Sequence, residues 1–187
     1  CIEHGFGGVE NMSLIPGSVG ASPMQNIGAY GVEMKDVFFE LEALNLTTLQ
    51  IEKFNNSDCK FGYRESIFKN EKKGQYFIAS VTFRLNLNPH VNTTYGAIQQ
   101  QLSAMNVGTP TIKNVSDAVI AIRSSKLPDP KVLGNSGSFF KNPEINSNEY
   151  ERLKMEFPNV VAYPTTNGFK LAAGWLIEQC GWKGDRK

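Results

Sequence analysis

The chain has 187 residues, of which 41% are hydrophobic and 20% are charged, and its formal net charge is +1. These proportions are those of an ordinary globular protein with one large domain or two small ones, and nothing in them suggests disorder. The near-neutral balance gives no broad electrostatic case for binding nucleic acid or an acidic membrane surface, and no apolar run approaches the ~20 residues needed to cross a bilayer.

The first 87 residues are predicted to be rich in β-structure. Apolar residues alternate from 37 to 43 and again at 49 and 51, which predicts two strands around a polar turn near 45–48. Segment 76–85 alternates apolar with polar residues throughout and is the clearest strand of the chain.

The rest of the chain has helical spacing. Segments 95–106 and 115–125 repeat apolar residues every three to four positions, and 127–143, rich in proline and glycine, predicts a turn, a loop and then a strand. Segments 147–157 and 170–181 predict two more helices, the first capped by Asn146 or Ser147 and the second ended by Gly181. Prolines interrupt the helical pattern between 123 and 130, so we place a domain boundary there.

The start of the sequence and its cysteines indicate whether the chain is a fragment and in which cell compartment the protein lies. The sequence begins CIEHGFGGVE, without an initiator methionine or a signal peptide, so we expect a fragment of a longer protein. The three cysteines, Cys1, Cys59 and Cys180, form a sparse and odd set, which is typical of reduced thiols in a cytosol.

Five N-x-[ST] sequons favour a secreted protein instead, because in a secreted eukaryotic protein they would be glycan sites. They lie at Asn11, Asn45, Asn55, Asn92 and Asn114. A chain rich in Asn, Ser and Thr also produces such triplets by chance, and without a signal peptide chance is the preferred interpretation.

The stretch LIPGSVGASPMQNIGAYGVE, residues 14–33, concentrates small neutral residues and has no charge before its last position. Glycine lets a backbone adopt positive φ and approach a ligand closely, and successive exposed N–H groups attract anions. Ser18, Ser22, Gln25 and Asn26 add neutral hydrogen-bonding groups, which suit a ligand with phosphates and a polar heterocycle. The stretch matches neither common phosphate-loop pattern, and a series of tight turns is an equally good interpretation.

Two further stretches contain residues of chemical interest. FGYRESIFK (61–69) places Tyr63 beside Arg64, and a buried arginine needs an anionic partner or substrate. RSSKLPDPKVLGNSGSFFKNP (123–143) combines basic residues suited to a diphosphate with a glycine turn from which Ser138 can project. Taken alone, a surface arginine and a basic surface loop are the better interpretations of these stretches.

Several common sites are excluded by residue type. The two histidines, His4 and His90, have no cysteine or carboxylate cluster beside them, so no zinc site is predicted. No G-x-S-x-G elbow occurs, and neither histidine stands in the context of a triad base. Basic and aromatic residues do not alternate along a strand in the way that an RNA-binding face requires.

The stretches IPGSVGASPMQNIGAYGVE, FGYRESIFK, and TTYGA followed by RSSKLPDPKVLGNSGSFFKNP and KLAAGWLIEQCG occur in this order along the chain. Together they resemble the UDP-N-acetylenolpyruvoylglucosamine reductase (UDP-N-acetylmuramate dehydrogenase) family, the flavoenzymes of bacterial peptidoglycan precursor synthesis. The resemblance covers nearly the whole chain and its motifs are highly specific. TTYGA is similar to the family subtype that has an additional tyrosine-bearing segment.

The resemblance implies an α+β fold. It implies the second part of an FAD-binding domain of the vanillyl-alcohol-oxidase type over 1–125, then part of an α+β substrate-binding domain over 126–187. Within residues 14–33, the glycine-rich stretch, the part from Pro16 to Gly31 would wrap the pyrophosphate and isoalloxazine of FAD. The implied FAD contacts are Ile15, Pro16, Gly17, Ser22, Gln25, Asn26 and Ile27.

The implied reaction has two halves, in which NADPH reduces FAD and the reduced flavin passes a hydride to the enolpyruvyl double bond of a UDP-sugar. Ser138 matches the family's proton-donating serine, and Arg64 matches the arginine that binds the substrate carboxylate and enolate oxygens. A serine hydroxyl is a poor acid in water. It can serve only if the acceptor is a very strong base and nearby cations support the developing alkoxide.

Further positions match the family's substrate-binding residues, namely Tyr63, Tyr95, Arg123, Lys126 and Asn142. Tyr95 would cover the diphosphate or uridine, and Lys126 would hold phosphate. We expect a cytoplasmic monomer whose partner is the small-molecule UDP-sugar, with no nucleic acid, no membrane and no metal.

The resemblance also implies parts that lie outside this chain. They are a third catalytic group, a glutamate near the family's C-terminus, and the amino-terminal part of the FAD domain with its own glycine-rich phosphate loop. We therefore expect the isolated chain to be inactive or to bind flavin weakly. The alternatives are a non-catalytic, truncated relative that holds a UDP-sugar and a secreted glycoprotein.

Overall fold

The structure is a computed structural model that describes residues 1–129, 131–134 and 138–184. The chain forms two compact units, Cys1–Gly137 and Ser138–Lys187. The assignment of 1–125 to cofactor binding and of 126–187 to substrate binding stays a prediction.

Short helices and a small hairpin make up the first 36 residues. The 3-10 helices are Ile2–His4, Glu10–Met12, Val19–Gln25 and Met34–Asp36, and the antiparallel hairpin pairs β1 (Gly28–Ala29) with β2 (Val32–Glu33). Tyr30 and Gly31 form the hairpin turn, both at positive φ (49° and 80°). Two positive φ angles are what a two-residue turn needs to match the twist of its strands, so the glycine-rich stretch folds into a helix and a hairpin.

An antiparallel sheet forms the main core of the first unit. Its strands are β3 (Phe38–Asn45), β4 (Ile51–Asn55) and β5 (Tyr76–Phe83), in the order β4-β3-β5. The predicted strands and the polar turn are confirmed, since the Oδ1 atom of Asn45 accepts the N–H groups of Thr47 and Thr48. The buried residues on this sheet and against it are Met34, Phe38, Leu41, Ala43, Phe54, Cys59, Ile67 and Phe68.

A helical pair forms the second core of this unit. After α1 (Asn56–Cys59) and a 3-10 helix at Ile67–Lys69, the chain forms α2 (Gly96–Ala104) and α3 (Ile112–Lys126). Both predicted helices are confirmed. The second starts three residues earlier than its apolar spacing indicated, because Thr111 and Asn114 form a capping box there. The buried faces of the pair contribute Ile98, Leu102, Val115, Ala118, Val119 and Ile122.

The second unit packs short helices beside a small antiparallel sheet. Its elements are β6 (Glu144–Ile145), α4 (Ser147–Glu156), β7 (Ala162–Thr165), β8 (Gly168–Leu171) and α5 (Ala173–Gln179), with strand order β6-β8-β7. The helix predicted over 147–157 is confirmed, with Asn146 as its N-cap. The Gly-Asn-Ser-Gly-Ser turn predicted before these elements lies partly outside the described residues.

The prediction of a helix from residue 170 is wrong at its start. Lys170 and Leu171 end strand β8, and Leu171 is buried against the unit. A Cβ atom at Gly168 would overlap the carbonyl oxygen of Ile145, so the glycine permits the close approach of β6 to β8. The helix begins at Ala173 and gives way after Gln179 to Gly181 at positive φ, close to the predicted end.

The asparagines of the five sequons all have structural contacts. Asn55 and Asn114 belong to capping boxes, and Asn11, Asn45 and Asn92 donate hydrogen bonds from their side-chain amides. These roles account for the asparagines without a glycan. Among the described residues, no helix is long and apolar enough to cross a membrane.

Cys59 generates a prediction about thiol reactivity and alkaline stability. It is fully buried, and burial, with a smaller contribution from Asp58, raises its pKa to about 12. Because the thiolate is the reactive form, we expect Cys59 to resist iodoacetamide at pH 8 while the exposed Cys180 reacts. Labelling followed by peptide mass spectrometry measures both rates, and equal rates in the folded protein would contradict the assignment.

The same pKa fixes the sign of the pH dependence. The unfolded chain loses the Cys59 proton near the ordinary value of 9.0, while the folded chain keeps it to about 12. The unfolded state therefore binds fewer protons across this range, and the contribution of Cys59 to stability falls as pH rises from 9 towards 12. Cys59→Ala should flatten this part of the curve of unfolding free energy against pH.

Candidate functional site

Arg64 lies against the glycine-rich stretch. Its Nη1 atom donates to the carbonyl oxygen of Asn26 at 3.3 Å and its Nη2 atom to that of Gly28 at 2.5 Å, while Nη1 lies 3.7 Å from Oε1 of Glu33. The guanidinium also lies 5.2 Å from the ring centre of Tyr63. The side chain as a whole stays 28% exposed. We call Arg64, Asn26, Gly28 and Glu33 the arginine anchor.

Asn26 is fully buried and its side chain makes three hydrogen bonds within the protein. Its Nδ2 atom donates to Oε2 of Glu33 and to the carbonyl oxygen of Gly62, both at 3.0 Å, and its Oδ1 atom accepts the N–H group of Lys35 at 3.0 Å. Both donors of the amide are therefore committed inside the fold. A cofactor contact that uses these donors would replace one of their bonds, and the predicted role of Asn26 stays a prediction.

Glu33 is the acidic partner in the anchor, and the sequence interpretation did not select it. Besides Arg64 and Asn26, it pairs with Lys35, whose Nζ atom lies 3.0 Å from Oε2 of the carboxylate. The signal in the sequence was its position, because it is the one charged residue in an otherwise neutral stretch of twenty. A partly buried carboxylate at such a place needs a cation, and Lys35 and Arg64 both supply one.

The other predicted FAD contacts divide into buried and exposed positions. Ser22 is buried and donates to the carbonyl oxygen of Val19 at 2.6 Å, and Ile27 packs on the sheet core. Pro16, Gly17 and Gln25 are exposed. A Cβ atom placed on Gly17, which has a φ of 114°, would meet nothing within 4 Å. The start of the stretch is therefore an accessible, uncharged backbone.

A cavity of about 490 Å³ joins this start to the end of α3. Its walls are formed by Leu14, Ile15, Pro16, Arg123, Ser124, Leu127, Pro128, Asp129 and Lys131. Arg123 bridges the two sides, because its Nε atom donates to the carbonyl oxygen of Leu14 at 3.2 Å. The volume is that of a small-molecule pocket, and two cationic side chains face one carboxylate on its walls. Two predicted FAD contacts and one predicted substrate contact thus share one cavity.

Tyr30, which the sequence interpretation also missed, connects Arg123 to Tyr95. Burial raises the pKa of Tyr30, and the nearby Arg123 guanidinium partly offsets this rise. Its ring meets that of Tyr95 edge to face, with centroids 5.3 Å apart and planes at 88°. Tyr95 is 42% exposed at the N-cap of α2. The turn dipeptide Tyr30-Gly31 was the signal available in the sequence, since such pairs often close hairpins.

The remaining predicted residues are less constrained. Lys126 is exposed in the last turn of α3. In the second unit Ser138 is exposed, and the Oδ1 atom of Asn142 accepts the N–H group of Ala173 at 2.9 Å, which supports the start of α5. Within the described parts of the chain, no group of three His, Cys, Asp or Glu side chains is placed to hold a metal ion.

The anchor generates a prediction on stability. Asn26→Asp would turn the two amide donors into acceptors that face the Glu33 carboxylate and the Gly62 carbonyl. We expect a loss of about 1–3 kcal/mol in the free energy of unfolding, the usual cost of leaving buried groups unpaired. The matched control is Gln25→Glu, the same change at the exposed neighbouring residue, which should stay within about 0.5 kcal/mol of the parent. Urea denaturation measures both, and equal losses would contradict the buried role of Asn26.

Known proteins resemble this chain along its whole length. A family model described as "UDP-N-acetylenolpyruvoylglucosamine reductase, C-terminal domain" matches residues 129–187. UDP-N-acetylenolpyruvoylglucosamine reductases of Amoebophilus asiaticus, Flavobacterium johnsoniae and Pseudomonas syringae pv. tomato are 56%, 54% and 54% identical to the chain. These matches cover 100%, 99% and 100% of this chain and 55%, 56% and 55% of the relatives.

A solved structure supports the fold. The crystal structure of UDP-N-acetylenolpyruvylglucosamine reductase from Thermus caldophilus matches 98% of this chain and 49% of its own, with a TM-score of 0.59 and 21% sequence identity. At this identity the likeness shows the fold alone, and it agrees with the α+β class of both units. The chain spans about half the length of the curated relatives it matches. By its sequence, this chain belongs to the UDP-N-acetylenolpyruvoylglucosamine reductase family.

Proposed function

We propose that the chain is part of an FAD-dependent oxidoreductase that uses NADPH to reduce the enolpyruvyl group of UDP-N-acetylglucosamine enolpyruvate, giving UDP-N-acetylmuramate for peptidoglycan precursor synthesis. The observation that carries the proposal is the identity of 51–56% with proteins named as this reductase, over the full length of the chain. We further propose a cytoplasmic monomer whose partner is the small-molecule UDP-sugar, with no nucleic acid and no membrane.

The glycine-rich stretch has the features that FAD requires of a protein loop. Pro16 and Gly17 offer an exposed backbone with open space around the glycine, and the exposed amide of Gln25 suits a polar heterocycle. The stretch has no charge of its own before Glu33, and that carboxylate is engaged by Arg64 and Lys35. Main-chain groups along it would hold the cofactor, together with Ile15, Ser22, Asn26 and Ile27. In this proposal residues 1–125 belong to an FAD domain of the vanillyl-alcohol-oxidase type.

The substrate would be held by cations and aromatic rings. Arg64, whose side chain stays 28% exposed, suits the carboxylate of the enolpyruvyl group, and its guanidinium lies beside the ring of Tyr63. Arg123 on the cavity wall and Lys126 at the end of α3 suit a diphosphate, for which Arg offers two parallel donors. Tyr95 would cover the UDP group, and Asn142, in the proposed substrate domain from 126 to 187, would add an amide contact.

Two side chains of this chain would act on the reacting carbon atoms. When bound, the flavin supplies the hydride that NADPH delivers to it. Arg64 would stabilise the negative charge that develops on the carboxylate side of the double bond, a contact whose loss usually costs ~2.7–4 kcal/mol of activation free energy. Ser138 would then give its proton to the carbon that has become strongly basic. Its exposed position suits a group that must reach a bound ligand.

The proposal predicts the visible absorption of the full-length protein. Purified full-length protein should show the bands of bound oxidised flavin, and these bands should bleach when NADPH is added. The 187-residue chain, measured in parallel, should bind added FAD more weakly or not at all. A full-length protein that binds UDP-sugar but takes up no flavin would contradict the reductase and favour a non-catalytic sugar-binding relative.

A second prediction separates the two halves of the reaction. Ser138→Ala in the full-length protein should abolish reduction of the enolpyruvyl sugar while NADPH still bleaches the flavin, because the hydroxyl group serves the second half only. Stopped-flow absorbance measures bleaching and reoxidation separately. Ser147→Ala, at another exposed serine of the same unit, is the matched control and should behave as the parent. Turnover of the sugar at the parental rate by the Ser138 variant would remove the assignment.

A further inference from the structure

Asn11 is a buried residue that neither the resemblance nor the cavity brings into the site. It is 1% exposed and lies in the 3-10 helix Glu10–Met12, just before the glycine-rich stretch. Its Nδ2 atom donates to the carbonyl oxygen of Tyr30 at 3.0 Å and to that of Asn92 at 2.9 Å. One side-chain amide therefore joins three segments that are far apart in sequence.

A second asparagine strengthens the same connection. The Nδ2 atom of Asn92 donates to the carbonyl oxygen of Gly31 at 3.3 Å. Its Oδ1 atom accepts the N–H group and the hydroxyl group of Thr94, at 3.1 and 2.8 Å. The Asn92–Thr94 segment is thus folded on itself and bonded twice to the hairpin turn, once through Asn11 and once through Asn92.

These bonds bear on the position of Tyr95, which directly follows Thr94 in the chain. Its ring lies edge to face on Tyr30, whose carbonyl group Asn11 holds, and its own carbonyl oxygen accepts the N–H groups of Ile98 and Gln99 at the start of α2. The Tyr95 ring is therefore located from two directions, by the helix that follows it and by the asparagine-bonded hairpin beside it.

The chemistry at position 11 favours a role for the amide donors. Among the described residues, the Oδ1 atom of Asn11 is the buried side-chain atom that lacks a hydrogen-bond partner. Burying an unpaired acceptor is unfavourable, and an apolar side chain of similar size would avoid it. An apolar side chain would, however, leave the two carbonyl oxygens of Tyr30 and Asn92 without their donor. The two donors are thus what this position offers that a core leucine does not.

We propose that Asn11, with Asn92, is a positioning residue that sets the location of Tyr95 for binding the UDP part of the substrate. The inference rests on the proposed function for its effect on turnover. Neither asparagine needs to touch the substrate, because both act through the main chain around Tyr95.

The test uses the full-length protein and two readouts. Two variants are compared with Asn88→Ala, which changes an exposed asparagine of the same loop. One is Asn11→Leu. The other is Asn92→Ala, at a partly exposed site, which removes one side-chain bond to the hairpin and the two bonds to Thr94. We expect KM for the UDP-sugar to rise about tenfold in Asn11→Leu and about threefold in Asn92→Ala, the range expected for lost hydrogen bonds. We expect kcat and the rate of flavin bleaching by NADPH to stay close to parental values.

A double-variant cycle distinguishes positioning from general damage. If Asn11 acts through Tyr95, adding Asn11→Leu to a Tyr95→Ala protein should raise KM no further. A multiplicative rise in that background would overturn the proposal, as would an unchanged KM in a folded Asn11→Leu protein.

Hydrogen exchange tests whether Asn11 holds the segment around Tyr95 in place, and this test does not depend on enzyme activity. By mass spectrometry, peptides spanning 92–98 should exchange about tenfold faster in Asn11→Leu, as expected when local opening becomes easier by the loss of hydrogen bonds. Unchanged exchange there would overturn the positioning role. A parent protein that shows the protected segment but reduces no UDP-sugar would instead contradict the proposed function and leave the exchange result to stand.

Discussion

The contact between the Arg64 guanidinium and the glycine-rich stretch is the constraint on which this site depends. Two main-chain carbonyl groups and one carboxylate receive the guanidinium, and the backbone of Arg64 itself has a φ of 55°, a region that residues other than glycine rarely occupy. Such a conformation persists where the surroundings determine it. The arginine therefore ties the Tyr63–Arg64 segment to the backbone of the hairpin at Asn26 and Gly28.

Helices and strands could be predicted from the sequence where the periodic apolar residues are the ones that the structure buries. The sheet strands were predictable because Leu41 and Ala43 alternate with polar neighbours, and the helix α3 because Val115, Val119 and Ile122 share a face. The start of α5 was not, because Lys170 and Leu171 fit a helical spacing equally well. Their strand conformation is set by pairing with Ala162 and Tyr163 of β7, a contact that no local pattern contains.

The sequence pointed to the two arginines of the candidate site but not to the residues that contact them. Arg64 and Arg123 stood out by type and by resemblance, whereas Glu33, Tyr30 and Asn11 act through partners distant in sequence. Asn26 is a residue for which the sequence suggested a ligand contact and the structure shows contacts within the protein. Its amide suited a ligand on composition, yet the fold commits both donors to Glu33 and Gly62. A polar side chain in a small-residue stretch serves the loop's own shape as readily as it serves a cofactor.

The buried amide of Asn11 has a consequence for how this protein can be produced. Asn11-Met12-Ser13 is a glycosylation sequon, and in a eukaryotic secretory pathway sugars are attached to such triplets while the chain is still extended. A glycan on this nitrogen would replace one of its two N–H donors and would have to enter a site that is 1% exposed. Glycosylation of Asn11 is therefore incompatible with the packing of this unit, and a host compartment without glycosyltransferases avoids it.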